Sequence, residues 1–255
     1  MLCCMAATMF LASCGESSTP STDKNYYPLT AGNTWTYDGV ETEDKAGTTT
    51  DIDTSRYTTT TRVDASLTYQ GKSAYRLIDS THNTGEKDTT YMSKSGSQVY
   101  TYIELIPSEA LTSFGVSLDL GSRWVLIADD NQATWTIADT TIKGVEVPNP
   151  LSPGSTMSAD IKLSVTGTKG GTSTMTVASK SVVTQEFSTK FSVTVVAFQG
   201  LLSIPITITN STYVSENIGI VKSEIKPITI TIPGAPTSFP INGSRETLKT
   251  YTVIN

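Results

Sequence analysis

The chain has 255 residues, 37% hydrophobic and 8% aromatic, with a formal net charge of −6, three cysteines and one histidine. That length allows one large β-domain or two smaller ones. A pI near 4.8 argues against nucleic acid and against an electrostatic hold on anionic lipid. No stretch beyond the amino terminus approaches the roughly 20 apolar residues of a membrane helix.

The run from Met1 to Ser13 is uncharged and mostly apolar, and it ends in Leu11-Ala12-Ser13-Cys14. A short apolar region followed by small residues has the shape of a secretory signal with its cleavage site. The tetrapeptide resembles a bacterial lipobox, which implies a signal peptide over 1–13, lipidation of Cys14 and an address in the cell envelope. Gly15 after the cysteine, where aspartate is the inner-membrane retention residue of enteric bacteria, points to the outer membrane, on its periplasmic or surface face. No Lys or Arg precedes the apolar run, so a start lying upstream with basic residues is expected. Residues 14–25 are small and polar and read as a flexible tether. Cys3 and Cys4 fall in the signal, so the mature chain keeps Cys14 alone and can form no internal disulfide.

From residue 26 onward the pattern is that of strands. Threonine is abundant, and its β-branched side chain disfavours helix and suits a half-exposed pleated surface. Ile161, Leu163 and Val165 alternate with polar neighbours, as do Phe191, Val193 and Val195, then Ile204, Ile206 and Ile208, then Ile228, Ile230 and Ile232. A period of two with one polar face predicts antiparallel sheet packed on one side. Pro205 inside such a run predicts an edge position. Turn signals stand at Asp38-Gly39, Gln70-Gly71, Ser95-Gly96, Gly170-Gly171 and Asn242-Gly243. A single short helix is predicted after Ser108, through Glu109, Ala110 and Leu111 and ending near Gly115. The proline-rich stretch from Val147 to Gly154 reads as a domain boundary or a long loop, and one domain over 26–255 is the better fit. The expected fold is all-β with minor α, a single strongly curved antiparallel sheet forming a half-barrel.

Leu29-x-x-Gly32-x-x-Trp35 is echoed by Leu118-x-x-Gly121-x-x-Trp124. In each, glycine permits a tight turn and tryptophan lands on the following strand. Trp35, Tyr37, Trp124 and Trp135 could form an aromatic wall for an apolar ligand. The plainer reading is two turn-plus-core anchors in similar strands.

The segment Tyr26 to Tyr37, with its PL-x-x-G-x-x-W-x-Y pattern, resembles the opening of an uncharacterised bacterial lipoprotein family, loosely called TapB-like. The second G-x-x-W at Gly121 and Trp124, and Gly219-Ile220-Val221-Lys222 reached through Tyr213 and Ile218, extend the likeness. The resemblance implies a curved antiparallel sheet distantly similar to the half-barrels of LolA and LolB, and it brings no catalytic residues. The long Thr-rich segment around Thr48–Thr61 and the loop at Pro148–Pro153 depart from it.

Little else points to chemistry. His82 lies in a polar turn-like stretch with no second histidine or cysteine beside it, so neither a zinc site nor a Ser/His/Asp triad is expected. Glu41, Glu43, Asp44, Asp51, Asp53, Asp129, Asp130 and Asn131 sit near predicted turns, where oxygen ligands can hold calcium, but without the twelve-residue spacing of a calcium loop. Solvated loop charge is the ordinary reading. Two distant carboxylates could serve a glycosidase, yet no constellation assembles one in sequence. The expectation is therefore a protein that is not an enzyme, needs no cofactor or metal and binds no nucleic acid. It meets the membrane through its lipid and binds an apolar ligand on the concave face. The alternative is a structural or interaction module that meets another envelope protein through its β-surface.

Overall fold

The computed structural model describes residues 24–45, 51–105, 120–149, 152, 154–231 and 238–254. Cys14, the expected signal, most of the expected tether and the helix expected near Ser108–Gly115 lie outside them. The strands are β1 (Thr34–Glu43), β2 (Ile52–Tyr69), β3 (Lys72–Thr81), β4 (Lys87–Ser95), β5 (Gln98–Glu104), β6 (Ser122–Asp129) and β7 (Thr134–Pro148). They continue as β8 (Thr156–Val177), β9 (Lys180–Ala197), β10 (Leu202–Ser215), β11 (Gly219–Ile225), β12 (Ile228–Thr231), β13 (Ser238–Ile241) and β14 (Gly243–Thr252). A 3-10 turn at Phe198–Gly200 joins β9 to β10.

Twelve of these strands form one antiparallel sheet in the order β6-β5-β4-β3-β2-β1-β14-β11-β10-β9-β8-β7, and β12 and β13 form a separate hairpin. The order dictates the shape. β1 lies in mid-sheet; the strands run outward from it to β6, and the next, β7, stands at the opposite edge. Only residues 130–133 connect those two edges. A link that short obliges the sheet to curl until its edges meet. The result is a nearly closed barrel with one seam, between β6 and β7. The seam has no strand ladder; Trp135 Nε1 donates to Leu126 O across it at 2.9 Å, and Lys169 Nζ reaches an Asp130 carboxylate oxygen at 2.7 Å. The curved antiparallel sheet is thus as expected, and its curvature carries it well past half a barrel.

Alternation fills one side of the interior. Ile161, Leu163 and Val165 on β8 are fully buried, and Val193, Val195, Ile204 and Ile206 pack against them from β9 and β10. Pro205 pairs only with Thr194 of β9, because β11 reaches no further along β10 than Asn210. Its missing N–H therefore falls on a stretch of local edge.

The other side is closed by the segment that precedes β1. Residues 24–33 cross the barrel end as a plug, with Tyr26 edge-on to Phe187 (5.9 Å) and Tyr27 and Leu29 buried. Gly32, at φ +97°, makes the turn into β1 that the sequence pattern demanded. Asn33, with no exposed surface, then fastens the plug: Nδ2 donates to Pro28 O (2.6 Å) and Oδ1 accepts from Ile254 N–H (2.7 Å).

Gln70-Gly71, Ser95-Gly96 and Asn242-Gly243 do punctuate strands. Two other expected turns do not exist. Gly170-Gly171 is a bulge inside β8, where register shifts between Lys169 and Thr172. Gly39 is mid-strand in β1, directly opposite Tyr57, and a Cβ there would sit 2.2 Å from the tyrosine ring. Gly167 is likewise covered by the indole of Trp135, its cross-strand partner. These glycines are required by an aromatic ring lying over them, and the ring in turn covers exposed strand backbone. The proline-rich stretch is the loop of the β7–β8 hairpin: Val147 pairs with Met157, and Asn149 N–H donates to Ser155 O (2.9 Å).

Candidate functional site

Opposite the packed half, the inner face keeps a cavity of about 410 Å³. Its floor is the plug, through Tyr27, Pro28 and Leu29; its apolar wall is Trp35 and Tyr37 of β1 with Leu77 of β3 and Met92 of β4. Trp35 is held by a hydrogen bond from Nε1 to Ile218 O (2.5 Å), and Tyr37 by one from its hydroxyl to Ile220 O (3.2 Å). Both rings are thereby locked across to the start of β11. Burial pushes the Tyr37 hydroxyl well above its ordinary pKa, and it stays neutral.

Above that wall the lining turns polar. Thr59 and Thr61 of β2, Thr90 of β4 and three carboxylates share the cavity. Asp79 of β3 stands directly opposite Thr61 on one side and Asp88 of β4 on the other. It accepts hydrogen bonds from the hydroxyls of Thr61 and Thr90, the latter at 3.3 Å. Burial raises its pKa, and Asp88 adds to the rise, while the two threonines oppose it. Glu246 of β14 is raised by burial and by Asp79, against a hydrogen bond with Tyr57. Tyr57 reaches Glu246 by lying across Gly39 of the intervening strand, and burial pushes its hydroxyl up to about 12. Among the described lining residues there is no Lys, Arg or His. The site therefore joins an aromatic and aliphatic pocket to an uncompensated acidic wall.

Of the aromatic residues singled out from sequence, the structure brings Trp35 and Tyr37 to this cavity and places the other two elsewhere. Trp124 is on the outer face, with Nε1 bonded to Gln70 O at 3.1 Å and its ring edge-on to Tyr102 at 5.4 Å. The repeated G-x-x-W spacing thus sends one tryptophan inward and the other outward. Trp135 sits at the seam and lines a shallow hollow with Leu126 and Thr134. Tyr57, Asp79, Asp88 and Glu246 were not foreseen. A signal existed, since Asp79 stands two residues from Leu77 and Glu246 two from Leu248, spacings that put an acid on the buried face of a strand.

The acidic residues weighed from sequence do other work. Asp129 is buried, not solvated: it accepts from Ser97 Oγ (3.1 Å), Gln98 Nε2 (2.9 Å) and Asn131 N–H (2.9 Å), pinning the turn at the seam. Burial raises its pKa, but these bonds and Lys169 outweigh it and hold the carboxyl below its usual range. Asp53 pairs with Arg56 (3.4 Å) and Arg245 (3.3 Å). Among the described residues no group of three or more His, Cys, Asp or Glu side chains is placed to hold a metal ion. His82 is exposed, its Nε2 within 2.8 Å of Thr60 Oγ1.

No family model matches the chain, and no curated protein matches it. Two solved structures are similar to it. One is a lipoprotein candidate from Parabacteroides distasonis ATCC 8503, at TM-score 0.44 and 11% identity over 89% of this chain and 98% of its own. The other is an exported-protein candidate with a YmcC-like fold from Bacteroides fragilis NCTC 9343, at TM-score 0.37 and 13% identity over the same shares. Likenesses this distant carry nothing about chemistry from those proteins to this one.

Proposed function

We propose that the protein is a lipid-anchored lipoprotein of the cell envelope that takes an apolar small molecule or acyl chain into the barrel, without catalysis. The address rests on the Leu11–Cys14 lipobox, and residues 14–25 would link the lipid to the barrel. The outer membrane is the membrane proposed. The observation that carries the binding reading is the cavity. Protein interiors are packed to crystal-like density with few gaps larger than a water molecule, so a space of this size stands out. At about 410 Å³ it falls in the roughly 300–1,000 Å³ range of small-molecule sites. An anchored protein cannot shuttle, so it would act as an acceptor or store.

The test is titration of the purified protein with the neutral fluorophore N-phenyl-1-naphthylamine, beside a Leu77→Trp variant that fills the cavity. Saturable enhancement that disappears in the variant, with its melting transition retained, is expected. No enhancement, or enhancement indifferent to the variant, would refute the reading.

The interaction-module alternative is favoured by a different observation. On the outer face Tyr69 stacks on Tyr91 at 3.6 Å and 6°, with Tyr102 and Trp124 edge-on beside them. Aromatic clusters of this kind are enriched in protein interfaces. Photo-cross-linking from position 124 that recovers one defined envelope protein would support it, and the two readings can both hold.

A further inference from the structure

Resting on the cavity as a binding site, we infer that its ligand carries an amine or ammonium head on an apolar body, and that molecules with anionic heads, free fatty acids among them, are excluded. The argument is one of charge placement. Asp79, Asp88 and Glu246 come from three different strands, β3, β4 and β14, and all line the same cavity. Asp79 and Asp88 are direct cross-strand partners, an arrangement of like charges that opposes folding.

Several other carboxylates of the chain are paired with a cation. Asp53, Asp64, Asp130 and Glu224 each have a Lys or Arg within ion-pair distance. Inside the cavity the groups facing the carboxylates are threonine hydroxyls and the neutral phenols of Tyr37 and Tyr57. Two threonines orient Asp79 and Tyr57 orients Glu246, so the acids are fixed in place without being neutralised. Unrelieved electrostatic cost of this sort concentrates where function requires it. A cation entering at the polar level supplies the missing partner, while its body extends toward Trp35, Leu77 and Met92. An anionic head would meet the part-buried Asp79 and Glu246, with the exposed Asp88 beside them, and no donor of positive charge among the described lining residues.

The experiment is displacement of N-phenyl-1-naphthylamine from the purified protein at neutral pH by decylamine, decanol and decanoate, which share one apolar body. Decylamine is expected to compete about tenfold or more better than decanol, the scale of one charge-assisted hydrogen bond, and decanoate worst of the three. Asp79→Asn and Glu246→Gln should each shrink the amine-to-alcohol ratio toward one. Asp79→Asn keeps an acceptor for Thr61, so its fold should survive, and Glu246→Gln gives an independent check. Decanoate competing as well as decylamine, or a ratio insensitive to both substitutions, would overturn the inference while leaving the cavity as a site. Failure of the neutral fluorophore and all three competitors would overturn the binding reading and this inference with it.

Discussion

Asn33 offers the sharpest test of how the barrel is held together. It has no exposed surface, and its side chain ties the plug to the segment beyond β14. Nδ2 donates to the carbonyl of Pro28 in the plug, and Oδ1 accepts from the amide of Ile254 beyond β14. Its own carbonyl accepts from Val63 N–H of β2 at 2.9 Å, a bond that any residue at this position would keep. Asn33→Ala removes only the two side-chain bonds. The buried Pro28 carbonyl is then left without a partner, at about 1–3 kcal/mol, and the partly buried Ile254 amide loses about 0.5–1.5 kcal/mol more. A total of about 2–4 kcal/mol, at about 2–4 °C per kcal/mol for a domain of this size, lowers the melting temperature by about 5–15 °C.

Calorimetry on the wild type and on Asn33→Ala reads the magnitude. Asn33→Asp separates hydrogen bonding from packing, since the carboxylate keeps the acceptor for Ile254 but cannot donate to Pro28 and adds a buried charge. Aspartate should therefore be at least as damaging as alanine at neutral pH, despite being nearly isosteric. Amide exchange of Tyr27 and Leu29 should accelerate in both variants, because the plug is what loosens. A loss below about 0.5 kcal/mol for alanine, or an aspartate variant that melts with the wild type, would refute the clasp.

The acidic wall sets a pH dependence with a definite sign. Asp79 and Glu246 have folded pKa values raised above their ordinary 3.8 and 4.5, so the native chain binds more protons than the unfolded one in the window above those values. Stability therefore rises as pH falls through the raised folded values toward the ordinary carboxylate range, and Asp79→Asn, which carries no charge there, should show a higher melting temperature at neutral pH and a flatter profile. Asp129 works in the opposite sense: its lowered carboxyl favours the fold above the ordinary range, and that contribution is lost as pH drops below about 4. A thermal scan across this range that is flat, or that falls steadily from pH 7 to 5, would contradict the assignment. At the amino terminus, Cys14→Ser should move the full-length protein from the membrane to the soluble fraction in a bacterial host, and should abolish palmitate labelling.

The sheet could be read from residues whose alternation is uninterrupted. Ile161, Leu163 and Val165 declare the buried face of β8 because each is large, apolar and separated by one polar neighbour. The site escaped the same reading because its strands break that rule on the buried side. At Leu77 and Asp79 the inward face switches from aliphatic to acid within two residues, and a strand end facing water would look identical in sequence. Gly39 misled for a related reason. A turn glycine and a glycine lying beneath a ring leave the same letter in the sequence, and only the cross-strand partner, Tyr57, tells them apart. Trp35 and Tyr37 were visible because aromatic residues stand out at any position. Whether such a ring faces inward depends on the register of its strand, which Trp124 shows by turning outward from an equivalent motif.

The cavity itself follows from the same inward positions. A closed sheet of this many strands encloses more space than side chains at single spacing can fill. On the β8–β10 side that space is taken up by branched aliphatic residues such as Ile161, Leu163 and Ile206. On the opposite wall the corresponding inward positions carry Thr59, Thr61, Asp79 and Thr90, which are shorter and polar. The plug fills the barrel end with Tyr27 and Leu29 but stops at that level, fixed by Asn33. The void is thus bounded on one side by the packed half and on another by a clasped plug, neither of which can relax into it without breaking buried contacts. Leucine at Thr59 or Thr61 would shrink the void and add buried apolar area. On the proposed reading, the hydroxyls and carboxylates at these positions keep that space open for a ligand, at the cost of the apolar burial that leucine would add.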